Sequence, residues 1–563
     1  MAPTLSPFAI FVGCASLLRT TWAHSAPLSP WTFQERVSVT MPKSFDTFAE
    51  SLGLRPPEAA NLKAELARDT QANTSNPACV IAQKLLGSHV VDTTPLNQTE
   101  VDANWSEACW EQPTCIIRPR TAQDVSTALK IITQYDVKFA VRSGGHSPNP
   151  GFSSITEPGI LIDLSGLNEI TVSDDQKTVS IGPGQRWGNV YEALDPYNFT
   201  VLGGRIPHVG VGGLILGGGY YHFSGEYGLA TDNVKSFQVV LADGTITTAS
   251  ATQNSDLFWA LKGGGPNFGR TPLSMSWSPL LRRTLANDTP GIVTRYELYT
   301  IPVHDIWYEV LAVSNDNAHA VLDAFALWQN TTASSDTKGT VALVMGLQSI
   351  TLGFIYSEPA AERPAAFAAF NNITPLVTAI PPTNGTVASI SAILSSTSSG
   401  PPARHDYRSA ASKIDAQLYK DVYDFWVEKA TAVNAATGAN QTFALQPIPI
   451  ELVEVGEAKG GNAMGIPREN HQWWTTLIDW ENAADDDLVR SVSIATTEKW
   501  KELGEERGLY VDYEYMNDAS RDQSPLSKYG EANIATLKSV SRKYDPDQVF
   551  QTLQNDGFLL RNV

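Results

Sequence analysis

Between Arg142 and Ser147 the chain reads Arg-Ser-Gly-Gly-His-Ser, and it arrives there from Val137-Lys138-Phe139-Ala140-Val141, an apolar run of strand type. Two glycines, two hydroxyls, an arginine and a histidine crowd into one turn, and no other stretch constrains the fold as much. Successive glycine N–H groups can point at a phosphate because no Cβ blocks the approach, and Arg142, Ser143 and Ser147 add donors nearby. The composition is that of an anion cradle. His146 is the odd residue, since a histidine in such a turn is ordinarily a loop residue satisfied by hydrogen bonds.

Further glycine clusters follow in a definite order. Ile181-Gly182-Pro183-Gly184 ends a second strand-like run, and Val209-Gly210-Val211-Gly212-Gly213-Leu214-Ile215-Leu216-Gly217 is a third glycine-rich stretch. Then come Gly228-Leu229-Ala230-Thr231-Asp232-Asn233-Val234, the strand-turn-strand Val239 to Ile246, and Asp256 to Gly265. In this order the motifs resemble the flavin domain of the vanillyl-alcohol oxidase and p-cresol methylhydroxylase (PCMH) superfamily, and the chain resembles its berberine bridge enzyme-like branch of fungal type. The resemblance covers most of the chain after about residue 75.

The resemblance implies an α+β fold: a two-part FAD-binding domain of PCMH type plus an antiparallel-sheet substrate domain backed by helices. It implies that a ring nitrogen of His146 is bonded to the 8α carbon of FAD. Cofactor contacts are then expected from Arg142, Ser143, Gly144, Gly145 and Ser147, from Gly182 and Gly184, and from Val209, Gly210, Gly212, Gly213 and Gly217. Gly228, Asp232, Val234, Ile292 and Val293 join them by the same matching. Many relatives carry a second, cysteinyl link just before the P-x-V-G-x-G-G segment; here that position is Ile206, so a single covalent link is expected. Tyr515-Met516-Asn517 matches the family's Y-x-N element, which makes Asn517 a cofactor ligand and Tyr515 the catalytic candidate. A phenol titrates near pH ~10, so Tyr515 needs a cation or hydrogen-bond partner to act as a base; His471, Glu451 and Glu514 are weaker alternatives. In relatives the residue before the glycine turn lines the oxygen approach; here it is the compact Val209, so the resemblance favours an oxidase over a dehydrogenase.

The chain opens with an apolar core, Phe8 to Leu18, followed by small residues, which predicts a signal peptide over residues 1–23. Sequons at Asn73, Asn97, Asn104, Asn198, Asn287, Asn330, Asn372, Asn384 and Asn440 agree with a secreted glycoprotein. Cys79, Cys109 and Cys115 then remain, one disulfide and one free thiol; counting leaves the pairing open, and the resemblance implies Cys79 with Cys115. Nothing has metal-ligand spacing. A net charge of -19 repels phosphate backbones and excludes nucleic acid as a partner, and no later stretch has the length of a membrane span. The glycine fragments lack the strand–G-x-G-x-x-G–helix context of a Rossmann site, so a nicotinamide cofactor is not expected.

These signals divide the chain into an N-terminal segment (24–110), the FAD-binding domain (111–302), a substrate domain (303–505) and a C-terminal return to the FAD domain (506–563). Thr121 caps a helix whose Val125, Leu129 and Ile132 share one face. Trp426, Trp473, Trp474 and Trp480 are expected in the core of the substrate domain. Relatives run N-F-G directly into I-V-T, whereas here Asn267-Phe268-Gly269 and Ile292-Val293-Thr294 are separated by residues 270–291, a stretch without clear structure of its own. Its removal from a GT inside the Gly269 codon restores F-G-I-V-T in frame, and Ala286-Asn287 and Pro290-Gly291 can be encoded as a fungal branch point and acceptor. It therefore reads as a retained intron, with a genuine surface insertion as the alternative. The expected function is a secreted, monomeric FAD-linked oxidase that takes hydride from an alcohol, amine or other activated C–H of a small molecule and passes the electrons to O2. An oligosaccharide C1 oxidase, or an inactive flavin binder damaged by the insertion, are the alternatives.

Overall fold

The computed structural model describes residues 44–71, 76–267, 291–397 and 403–563. The signal peptide, the sequons at Asn73 and Asn287, and residues 270–290 of the insertion lie outside them. Three sheets carry the architecture. The first contains β1 (Val91–Thr93), β2 (Cys115–Ile117), β3 (Phe139–Arg142) and β4 (Ile160–Asp163) in the order β1-β2-β4-β3, with β2, β4 and β3 parallel. All three residues of β2 and all four of β4 are buried, the signature of strands covered on both faces. The Ala122–Tyr135 helix covers this sheet and begins as its sequence predicts: Thr121 Oγ1 accepts from the Asp124 N–H, and Asp124 returns the bond to the Thr121 N–H. Val125, Leu129 and Ile132 are fully buried on its inner face. A Cys79–Cys115 disulfide ties the Pro77–Leu86 helix to β2, and Cys109 is free and buried.

The second sheet is antiparallel: β5 (Ile170–Val172), β6 (Thr178–Ile181), β7 (Thr200–Val201), β8 (Val234–Leu241), β9 (Ile246–Ser250) and β10 (Gly291–Ile301), in the order β5-β6-β10-β8-β9 with β7 also on β10. Ile292 and Val293 pair with Val240 and Val239, so the strand after the insertion is an interior strand of the sheet. The third sheet has eight antiparallel strands: β11 (Asp305–Val313), β12 (Gly339–Gly346), β13 (Ile350–Tyr356), β14 (Val377–Thr386), β15 (Arg404–Lys413), β16 (Asn440–Ile448), β17 (His471–Trp480) and β18 (Tyr510–Val511). Their order is β14-β11-β13-β12-β16-β17-β15-β18. Val341, Leu343 and Met345 of β12 join the core shared with the helices Ala318–Thr331, Ala416–Thr437 and Asp486–Arg507, in which Trp426, Trp474 and Trp480 are buried. Ala342 and Val344, of opposite parity, line a cavity on the other face.

The tail returns to the first sheet. Phe139 donates its N–H to the Leu553 carbonyl and accepts from the Asn555 N–H, at 3.0 and 2.7 Å, while Phe550 packs edge-on against its ring. Asn104, one of the sequons, is 3% exposed: its amide donates to the carbonyls of Cys109 and Ser153 and accepts from Arg142. A glycan has no room there, so Asn104 is a structural residue and not an acceptor. Among the described residues no helix is long and apolar enough to cross a membrane, and no group of histidine, cysteine or acidic side chains could hold a metal ion.

Candidate active site

A cavity of about 1410 Å³ lies among the three sheets, walled by the 143–149 loop, the 205–220 stretch, the free face of the third sheet and the 515–519 turn. The 143–147 loop emerges at the carboxyl end of the parallel strand β3, where loops of parallel sheets ordinarily meet ligands. Ser143 ties three glycine loops together: its hydroxyl donates to the Pro183 carbonyl at 2.6 Å and accepts from the Gly212 N–H at 3.2 Å. Gly144 and Gly210 cross so closely that a Cβ on either would lie 2.4 Å from the other's Cα. Glycine is obligatory at both positions because backbone meets backbone.

His146 is half-buried on the cavity wall. One face stacks on Trp105 at 4.2 Å, and Trp105 stacks in turn on His405 at 3.7 Å. Its Nδ1 is 2.9 Å from the Tyr407 hydroxyl, while its Nε2 is buried without a hydrogen-bond partner. Burial, reinforced by His208, Arg186 and His405, holds the imidazole neutral, with its pKa well below the usual histidine range. A neutral imidazole keeps a nucleophilic lone pair.

Opposite the loop, Tyr515 is buried and stacks on Trp473 at 4.3 Å. Its hydroxyl oxygen accepts from the N–H groups of Gly219 and Tyr220, at 3.0 and 2.9 Å, and from Asn517 Nδ2 at 3.1 Å. Burial nevertheless outweighs these donors and raises the phenol above its ordinary value. Asn517 also donates to the Leu214 carbonyl at 3.0 Å, and a Cβ at Gly217 would lie 1.9 Å from its Oδ1. Next to it, Asp518 faces the cavity and accepts from Gln446 Nε2 at 2.7 Å. Burial pushes its carboxyl above the usual range, opposed by the positive charge of Arg205. Arg205 donates to Gln446 Oε1 and lies over the Tyr220 ring, 4.8 Å from its centre. These polar groups sit in a wall otherwise rich in aliphatic side chains, among them Ala342, Val344, Ile355, Ile380, Ile390 and Leu394.

Residues 113–250 match a family model described as an FAD binding domain. The chain is 36% identical over 552 residues to an FAD-dependent monooxygenase of Arthrobotrys oligospora, an alignment covering 97% of this chain and 98% of that protein. Its fold is similar to that of 6-hydroxy-D-nicotine oxidase from Arthrobacter nicotinovorans (TM-score 0.67, 19% identity, 83% of this chain and 97% of that one). It is likewise similar to berberine bridge enzyme from Eschscholzia californica (TM-score 0.65, 17% identity, 85% and 98%). The chain belongs to the FAD-dependent oxidoreductases of which the Arthrobotrys protein is a member, and its fold is that of berberine bridge enzyme.

FAD fits the cavity of this FAD-dependent oxidoreductase. The volume exceeds the ~300–1,000 Å³ of an ordinary ligand pocket, which leaves space for a large cofactor and a substrate together. Gly213 lines it with nothing within 4 Å of where its Cβ would stand, and the orphaned Nε2 of His146 lacks a partner that the protein itself does not supply. Of the residues expected to hold the cofactor, Ser143, Gly144, Gly145, His146, Ser147, Val209, Gly210, Gly212, Gly213, Gly217, Ile292, Val293 and Asn517 line the cavity, as does Tyr515. Ile206 lines it too, so the position of the missing cysteine does face the site.

The remaining expected residues are placed elsewhere. Arg142 is spent on a buried ion pair with Asp163, at 2.5 Å, and on the Glu100 carbonyl and Asn104; it supports the loop from behind. Gly182 and Gly184 lie off the wall, where a Cβ would strike the carbonyls of Leu167 and Leu164 at 2.1 and 2.3 Å. Asp232 accepts from the Leu229 N–H and from Asn462, and shapes the turn between Gly228 and Val234 at a distance from the cavity wall. His471, Glu451 and Glu514 do not line the cavity. Sequence reasoning missed Trp105, Arg205, Tyr407 and Asp518 as site residues, whereas Gln446 lies in a segment, Gln446-Pro447-Ile448-Pro449, that the resemblance places on the substrate side without a role for each residue. Asp518 had a local signal, being next to the Y-x-N element; Trp105 and Tyr407 meet His146 across separations of 41 and 261 positions, which no local pattern reveals.

Proposed function

We propose that this FAD-dependent oxidoreductase is a secreted oxidase whose single covalent flavin link is to His146 and whose proton acceptor is Asp518. The observation that carries the reading is Asp518 itself, a carboxylate facing the cavity, aimed by Gln446 and set opposite a guanidinium. FAD supplies the hydride acceptor. The protein has to seat the substrate, exclude water and remove the O–H or N–H proton as hydride leaves carbon. Asp518 suits that task better than Tyr515, whose oxygen already accepts three N–H groups and whose ionisation burial opposes. Val209 and the aliphatic side chains make the cavity wall largely apolar, which favours an apolar small molecule over an oligosaccharide. Exposed sequons at Asn97, Asn198, Asn330 and Asn372 are compatible with glycosylation on secretion.

Two experiments test the reading. Acid precipitation of the purified protein is expected to carry the yellow colour into the pellet, and His146→Ala to release it. A screen of hydrophobic alcohols, amines and enols for peroxide release is expected to find a substrate that Asp518→Asn no longer turns over. A second reading comes from the 36% identical relative, which is named a monooxygenase. Turnover under ¹⁸O₂ separates the two: label in the product favours oxygen insertion, and label in peroxide alone favours the oxidase.

A further inference from the structure

We propose that the substrate carries one acidic oxygen on an apolar body, and that Arg205 is the residue that selects it. This rests on the cavity being the substrate site of an oxidoreductase. Arg205 is the one guanidinium or ammonium group in the cavity wall among the described residues. Five other arginines with little exposure are paired with carboxylates, Arg142 with Asp163, Arg363 with Glu309, Arg404 with Asp486, Arg408 with Asp522 and Arg490 with Asp406, while Arg186, outside the cavity wall, donates to the His208 carbonyl. Arg205, in the cavity wall, has a neutral amide and an aromatic ring as its partners. Asp518 offsets its charge from across the Gln446 amide and not by contact, so the half-buried guanidinium keeps donors free for an anionic oxygen of a ligand.

The surrounding geometry holds the guanidinium ready for a ligand. It follows Gly203 and Gly204, where a Cβ would strike Trp187 at 2.2 and 2.5 Å, so the backbone that presents it is wedged against a buried ring. Gln446 is fixed at both ends, accepting from Arg205 and donating to Asp518, which sets the cation and the carboxylate on either side of one amide. Such a pair accommodates an acidic O–H group without changing the net charge of the site. The ligand's O–H bond breaks, the proton forms a carboxyl O–H on Asp518, and the oxygen anion rests on Arg205; nothing is oxidised or reduced in that step. Phenols and enols share this chemistry. A carboxylic acid, ionised near neutral pH, brings the oxygen anion to Arg205 without the proton transfer, and O-methyl derivatives do neither.

The test uses the full-length holoenzyme and calorimetric titration, which needs no turnover. The probes are decanoic acid, 4-hexylphenol and 5-pentylcyclohexane-1,3-dione, each against its O-methyl derivative. At least one acid is expected to bind about tenfold or more tightly than its methyl derivative, as a charge-assisted hydrogen bond provides. Arg205→Met is expected to abolish that preference and Arg205→Lys to keep part of it, both retaining the flavin content of the parent. Equal binding of acids and methyl derivatives, no saturable binding of any acid, or a preference that survives in Arg205→Met would overturn the proposal. Failure of the proton-acceptor reading is seen separately, as unimpaired turnover in Asp518→Asn beside an intact acid preference in the parent.

Discussion

At the scale of single residues, Asp518 and Tyr515 make opposite predictions. A positioned general base contributes about 10²–10⁴-fold, so Asp518→Asn should lower kcat by that order while flavin content stays unchanged. Burial raises the Asp518 carboxyl, and the base works only when ionised. The rate should therefore climb with pH through that raised pKa, and the acid limb of the profile should vanish in the Asn variant. Tyr515→Phe leaves the Gly219 and Tyr220 N–H groups and the Asn517 amide without their acceptor. The expected result is a loss of about 1–3 kcal/mol in stability, read by thermal unfolding, with a smaller effect on kcat. A large kcat loss with an unchanged melting point would return the catalytic role to the tyrosine. His146 was legible because its motif is contiguous. Arg142 misled, because a motif records residue types and not which way an arginine turns; here Asp163 captures it.

At the scale of elements, the glycine loops were legible as a set but not in their individual reasons. Their spacing suggested phosphate approach, and Gly213 has open space where such a group could lie. Gly144 and Gly210 are required for a different cause, the crossing of two loops from distant parts of the chain. Gly144→Ala should force those loops apart, loosen the Ser143 bonds to Pro183 and Gly212, and yield a folded protein with little bound flavin, measured as the ratio of flavin to protein absorbance. The helix opened by Thr121 was fully legible, since its cap, its acid and its apolar face lie within one local stretch. The strand after the insertion holds its place between β6 and β8. If residues 270–291 are a retained intron, a chain lacking them should fold and bind flavin at least as well, because a shorter loop costs less entropy to close. Mature message that keeps the segment would argue for a genuine insertion.

At the scale of the molecule, the order of the three sheets was beyond the sequence, because strand neighbours such as β6 and β10 lie more than a hundred residues apart and pairing leaves no local mark. What the assembled fold adds is a set of histidines sealed in neutral form. Burial lowers His471 to about 4 and His222 to about 3, and it lowers His146 and His208 as well. Unfolded, each would titrate near ~6.5. A depressed pKa contributes stability that is present above the unfolded value and is lost as pH falls towards the folded one. The window therefore runs from about pH 6.5 down to about pH 4 for His471, which alone accounts for about 3 kcal/mol. Its Nδ1 lies 2.7 Å from the Glu469 carbonyl, a bond that an asparagine amide can imitate. Thermal unfolding of the holoenzyme should show a midpoint that falls steeply between pH 6.5 and pH 4, and His471→Asn should flatten part of that slope. A midpoint that stays level across the window would mean that these imidazoles take up protons inside the folded protein, and that the packing around them is looser than the structure shows.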